Sequence, residues 1–332
     1  MNELDRIVAA ARASIDAGAP SALATILATE GSSFRRAGTR LWIGADRRVG
    51  AISGGCLESD LAERARAVIA SGTPILVPYD SAADGDVLWG TASGCGGLLQ
   101  ILLEPLSPEL LDDLEWIQAE LAARRPAPLV TEWDGTRVRR GRGSRASERS
   151  EGEVGAIRLE EIHLPPIALT VFGPGDDAHA TARLARELGW RVLHLATTPS
   201  GDNALQKGHV LYDARAAVLL MTHNFHRDAE LLVKIAPTGI NYLGVLGPRR
   251  RTERLLAETG IPAGGLASLH APPGLDVGGE TPEEIALSLL AELQAHFAGR
   301  AGGKLRDRAA PIHDRDASAR RPQARAASER ES

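Results

Sequence analysis

Between Ile167 and Phe297, β-type apolar runs alternate with helix-like segments, and that alternation restricts the fold more than any other feature of the chain. Ile167 to Phe172 reads as a buried strand running into Gly173-Pro174-Gly175-Asp176-Asp177-Ala178 and a helix to Leu188. Strands follow over Arg191 to Leu195, Ala217 to Met221 and Tyr242 to Val245, with helices over Asp228 to Ile235 and Arg251 to Glu258. Parallel neighbours need a crossover, and short helices supply it, so the pattern predicts a doubly wound parallel sheet. Thr281-Pro282-Glu283-Glu284 is a capping box with proline at the first helical position, and Ile285, Leu289, Leu293 and Phe297 line one face of the last helix.

The first part of the chain mixes the two periods differently. Leu4, Ile7, Val8, Ala11 and Ile15 mark an amphipathic helix up to Gly18, and Leu23 to Thr29, Thr39 to Ala45 and Val49 to Ile52 read as strands. A helix through Leu57, Leu61, Ala65, Val68 and Ile69 ends at Gly72; strands over Pro74 to Tyr79 and Leu98 to Glu104 precede a helix opened by Ser107-Pro108. The fold class is therefore α/β: an N-terminal α/β domain over residues 1–125 and a C-terminal Rossmann-like doubly wound parallel-sheet domain over 166–298. Residues 126–165 hold prolines, glycines and Arg137, Arg139, Arg140, Arg142, Arg145 and Arg149, and read as a flexible Arg/Gly/Ser-rich linker with at most a short hairpin around Trp133-Asp134-Gly135. Residues 299–332 read as a disordered tail.

A chain of 332 residues with 43% hydrophobic content can bury two cores. A net charge of −5 gives no field that attracts nucleic acid or an anionic membrane, and no apolar run reaches the ~18 residues of a membrane helix. A cytoplasmic protein is expected. The two cysteines exclude a disulfide framework, and without a nearby histidine pair they fall short of a structural zinc site.

Both cysteines stand in glycine turns. Ser53-Gly54-Gly55-Cys56-Leu57-Glu58 lies where a strand hands over to a helix, so the helix dipole favours a thiolate at Cys56 while Glu58 opposes it. Ser93-Gly94-Cys95-Gly96-Gly97 precedes another strand and leaves the sulfur and backbone amides accessible. The loop Glu30 to Gly38, with Arg35 and Arg36, can hold an anion, although by itself it reads as an ordinary surface loop. Gly173-x-Gly175-x-x-Ala178 fits the dinucleotide fingerprint, yet Asp176 and Asp177 bring negative charge to the phosphate position and Ala196 offers a ribose nothing. Those residues argue against NAD(P). No acid–base pair stands out, and no catalytic residue is assigned.

Together these motifs resemble the xanthine dehydrogenase accessory family of the XdhC and CoxI type. The first domain resembles it through GSSFRRAGTRLWIG, VGAISGGCLESDL and WGTASGCGGLLQILLEPL; the second through the Gly173 fingerprint, MTHNFHRDAELL, YLGVLGPRRRTERL and LHAPPGLDVGGETPEEIALSLLAEL. The resemblance implies a chaperone that binds molybdenum cofactor, as molybdopterin or its dinucleotide form, supports its sulfuration and inserts it into an apo molybdenum hydroxylase. It implies cofactor contacts at Ser53, Gly54, Gly55, Cys56, Glu58, Cys95, Gly96, Gly97, Gly173, Gly175, Arg249, Arg250, His270, Asp276 and Glu280, with Cys56 as a molybdenum or sulfur contact. A homodimer and a cysteine desulfurase as further partner belong to the same expectation. The chain departs from the family where Gly-His-Val-Gly is replaced by Gly175-Asp176-Asp177-Ala178 and an acidic residue by Ala196, which points to a divergent subgroup with a different client. An NAD(P)-dependent oxidoreductase using the Gly173 loop, and an oligomeric scaffold that binds only the apo-hydroxylase, are the rival readings.

Overall fold

The structure, a computed structural model, describes residues 2–31, 35–55, 57–80, 97–143, 156–262 and 266–309. The chain divides into two units, one essentially Glu3–Leu164 and the other Pro165–Asp307. In the first, β1 (Ala22–Gly31), β2 (Arg40–Ile43), β3 (Arg48–Gly50), β4 (Ile75–Asp80) and β5 (Gly97–Pro105) form an antiparallel sheet in the order β3-β2-β1-β5-β4. Strand alternation sends Ala22, Ala24 and Ile26 to one face, where Leu61, Ala65 and Val68 of helix α2 (Glu58–Ser71) cover them. Leu23 and Trp42 face the other way, against α1 (Glu3–Asp16) and α3 (Pro108–Ala122). Pro78 is tolerated in β4 because that strand is at the sheet edge. The Ser107 side chain accepts from Leu110 N–H, capping α3 as its sequence predicts.

The linker expectation is wrong for most of residues 126–165. β6 (Ala127–Trp133), β7 (Val138–Arg142) and β8 (Ile157–His163) form a three-stranded antiparallel sheet in the order β7-β6-β8. Trp133 and Leu159 pack with Leu27 and Leu102, and Ala127 and Leu129 with Ile117, so this sheet belongs to the first domain's core. Two of the arginines that suggested a solvated linker are ion-paired with carboxylates far away in sequence: Arg140 with Glu104 and Asp113, Arg142 with Asp112 and Asp113 at 2.6 Å each. Pro128 fits because β7 pairs with β6 only from Leu129 onward, leaving one neighbour at that point. Arg145 and Arg149 lie outside the described residues, as does the chain beyond residue 309.

The second unit has the predicted architecture. β9 (Ala168–Phe172), β10 (Arg191–Leu195), β11 (Ala216–Leu220), β12 (Tyr242–Val245) and β13 (Leu269–His270) are all parallel, in the order β10-β9-β11-β12-β13. Leu169, Val171, Ala217 and Leu219 face α4 (Asp176–Glu187) and α8 (Pro282–Phe297); Ala168, Phe172, Val218 and Leu220 face α5 (Thr198–Gln206), α6 (Phe225–Ile235) and α7 (Arg249–Thr259). Both faces are covered, which is why β9, β11 and β12 are buried at every position. The order reverses between β9 and β11, and the crevice outside their carboxyl ends is where such sheets bind ligands.

Candidate functional site

Gly173 ends β9 with φ 147°, and a Cβ there would collide with the Met221 carbonyl oxygen, so the close approach of β9 and β11 at the switch point requires glycine. Gly175 caps α4, and Asp176 and Asp177 occupy its first turn, where the helix dipole favours acids. Asp177 is buried: its Oδ1 accepts from Ala178 N–H at 2.8 Å and lies 2.6 Å from the Cβ direction of Gly175. The helix end that would receive a dinucleotide pyrophosphate thus holds a carboxylate of the chain itself. Asp177 Oδ2 meets His223 Nε2 at 3.0 Å, from the loop after β11. His194 donates to the Gly173 carbonyl at 2.9 Å and His179 lies edge-on to it, 4.6 Å between ring centres. Burial, followed by the nearby His179 and Arg186 charges, lowers the His194 pKa against the opposing bond to Gly173.

One strand further along the same edge, α7 begins with Arg249, Arg250 and Arg251 and has no acid in its first turn. Arg251 reaches back to Asp228 at 2.6 Å, and Thr222 donates to the same carboxylate at 2.5 Å, so this fully buried aspartate clamps the His223 loop to α7. Arg249 and Arg250 are exposed and make no ion pair among the described residues. Two guanidinium groups beside unpaired helix amides are suited to phosphate.

Gly173, Gly175, Arg249, Arg250 and His270 all come to this carboxyl edge. The His270 ring, however, is held inside the domain: Nδ1 meets Glu292 at 2.7 Å, and the ring stacks on Tyr242 at 3.9 Å. Glu292 also accepts from the Tyr242 hydroxyl and from Gly274 N–H, so His270 is part of the clasp that fastens the Ala271–Gly279 loop to α8. Asp276 is exposed on that loop and Glu280 just after it. In the first domain, the Glu58 carboxylate is turned inward onto Ser53 N–H at 2.8 Å, Ser53 Oγ and Ile52 N–H. Burial raises its pKa, but these bonds outweigh burial and leave it lowered. Glu58 thus shapes the turn, while Gly54 and Gly55 stay open to solvent. Gly97 opens β5 opposite Gly31. Cys56, Cys95 and Gly96 lie outside the described residues, as do Ser32 to Phe34 of the Arg35–Arg36 loop. That loop borders a cavity of ≈ 310 Å³ in which Arg40 is already paired with Glu161 at 2.5 Å. No group of three histidine, cysteine or carboxylate ligands suited to a metal occurs among the described residues.

Asp177, His223, Asp228 and Arg251 were not singled out as site residues from the sequence. The readable signal was Met221-Thr222-His223-Asn224 at a strand-to-helix handover, the same position in its βα unit that Gly173 has in the first.

Comparison with known proteins decides the relationship. The XdhC Rossmann domain matches residues 169–293, and the XdhC and CoxI family matches residues 14–80. The chain belongs to the XdhC and CoxI family. Among its relatives, a Bacillus subtilis protein described as a probable xanthine dehydrogenase subunit is 27% identical over 82% of this chain and 91% of that protein. The molybdenum cofactor insertion chaperone PaoD of Escherichia coli is 27% identical over 83% of each. A crystal structure described as a xanthine dehydrogenase from Bacillus halodurans superposes with a TM-score of 0.76 at 27% identity, covering 90% of this chain and 97% of that one. Among the described residues of this XdhC and CoxI family member, no helix is long and apolar enough to cross a membrane.

Proposed function

We propose that the chain is an accessory protein that holds molybdenum cofactor and hands it to an apo molybdenum hydroxylase of the xanthine dehydrogenase type. The observation that carries this reading is the similarity to the insertion chaperone PaoD over 83% of each chain, too long a match to reside in one domain. The carboxyl edge of the parallel sheet suits such a role, because Arg249 and Arg250 with the first amides of α7 fit a phosphate, and a carboxylate-held imidazole stands one loop away. When bound, the cofactor supplies a phosphate-bearing pterin and a dithiolene-held molybdenum. The residues of this chain would bind and orient it, and the exposure of Arg249 and Arg250 lets a client's own phosphate site compete for the cargo. Protection during sulfuration, a cysteine desulfurase as sulfur source and a homodimer belong to the same proposal, with Cys56 and Cys95 as the candidate sulfur contacts.

Reconstitution tests the reading. Apo-hydroxylase incubated with limiting cofactor should gain more activity when the full chain is present than with an inert protein. Equal activation would contradict the proposal. NAD and NADP, with Asp177 at the α4 amides, should bind no tighter than about millimolar, worth only ~4 kcal/mol. Micromolar binding by calorimetry would favour an oxidoreductase instead.

A further inference from the structure

The contact between His223 and Asp177 fixes a protonation pattern. A carboxylate only accepts, so the 3.0 Å approach of Nε2 to Oδ2 calls for the proton on Nε2 and leaves Nδ1 as the ring nitrogen that can offer a lone pair. The other oxygen of Asp177 accepts from Ala178 N–H at 2.8 Å, which orients the carboxylate toward the ring. The aspartate side chain is 12% exposed and the histidine 60%, so a buried anion supports a ring that stands open to solvent. His223 also has φ 55°, in the left-handed region that residues with a Cβ rarely adopt and that collects at functional sites. Its loop is braced through Thr222 and Asp228 to Arg251, in the same turn as Arg249 and Arg250.

We propose that His223 is the second attachment point for the cofactor: the start of α7 takes the phosphate, and the Nδ1 lone pair of His223 takes the metal-bearing end. This rests on the reading of the chain as a cofactor-handling protein. β11 and β12 are neighbouring strands, so their loops leave the sheet about 5 Å apart and one elongated anion can touch both. A carboxylate behind an imidazole is the arrangement that fixes the tautomer and raises the basicity of a histidine facing a metal. Pinning the loop alone would not call for an exposed ring, because Thr222 and Asp228 already pin it.

Two variants of the full chain test the assignment. His223→Asn removes the imidazole but keeps a residue type that tolerates positive φ, and Asp177→Asn keeps the volume while releasing the tautomer. Nitrogen-15 imidazole spectra without ligand should show Nε2–H at His223 in the native chain and loss of that preference in Asp177→Asn. Molybdopterin cofactor released from a hydroxylase should bind each variant at least about ten-fold more weakly than the native chain. Inorganic pyrophosphate, probing only the phosphate end, should bind His223→Asn as it binds the native chain. Native-strength cofactor binding by His223→Asn overturns this proposal and leaves the chaperone reading standing. A matching loss of pyrophosphate binding would place the imidazole at the phosphate end and overturn it too. If the native chain binds no cofactor, both fall together.

Discussion

Two arginine clusters, one in each domain, do opposite work. In the first, Arg40 and Glu161 are 7% and 8% exposed and form a two-armed ion pair, and Arg140 closes on Glu104 beside Asp113. Burial pulls the Glu161 carboxyl up, but the Arg40 guanidinium and His163 outweigh it and hold its pKa down at about 2. These charges join elements distant in sequence and leave nothing to offer a ligand. In the second domain the corresponding closure is done by Asp228 with Arg251, and the next two arginines, Arg249 and Arg250, stay exposed with no carboxylate partner among the described residues. An arginine-rich stretch therefore becomes scaffold where acids face it and a candidate binding surface where they do not.

The sharpest way to break that contrast is Arg40→Met. It leaves the buried Glu161 with His163 alone beside it and should cost the first domain about 3–5 kcal/mol, read as a shifted denaturant midpoint for that domain. A loss below about 1 kcal/mol would mean that the pair does not close the domain. Gly173→Ala should come next, at roughly 2 kcal/mol or more, because the added carbon meets a backbone carbonyl at an unfavourable φ. Its effect belongs to the unfolding transition of the second domain only.

The domains should also part company in acid. His194 and His296 both have folded pKa values lowered from 6.5, mainly by burial, so the unfolded chain takes up protons first as the pH falls. Stability of the second domain is then full above about pH 6.5 and declines below it. Glu58 and Glu161 are lowered from 4.5, so their contribution to the first domain is present above that value and is lost only in stronger acid. Melting curves between pH 7 and 5 should show the second transition moving and the first holding still; parallel movement would refute the assignment.

Local patterns made much of this visible in the sequence. The Thr281–Glu284 capping box forms as written, with the Glu284 carboxylate accepting from Thr281 N–H at 3.0 Å, and Gly72 closes α2 in the left-handed conformation. α5 escaped notice because Thr198–Gln206 is poor in apolar residues, although Thr197 and Ser200 cap it reciprocally. β6 to β8 were hidden because the acids that neutralise their arginines lie about 30 residues or more away in sequence. The same holds for the site. Gly173, Gly175, Arg249 and Arg250 are legible from their turn and helix positions, whereas Asp177 and His223, 46 residues apart, meet only because β9 and β11 become neighbours.

The smallest stability effect and the most direct functional one should coincide in Arg249→Ala combined with Arg250→Ala. Both side chains are exposed and make no ion pair among the described residues, so melting should stay within about 0.5 kcal/mol of the native protein. Titration of molybdenum cofactor into the native chain and into this double variant measures what the two arginines are for. Clear binding by the native chain, weakening with added salt, is expected, together with its loss in a variant that remains folded. Equal binding by both proteins would contradict the placement of the site at the carboxyl edge of the parallel sheet.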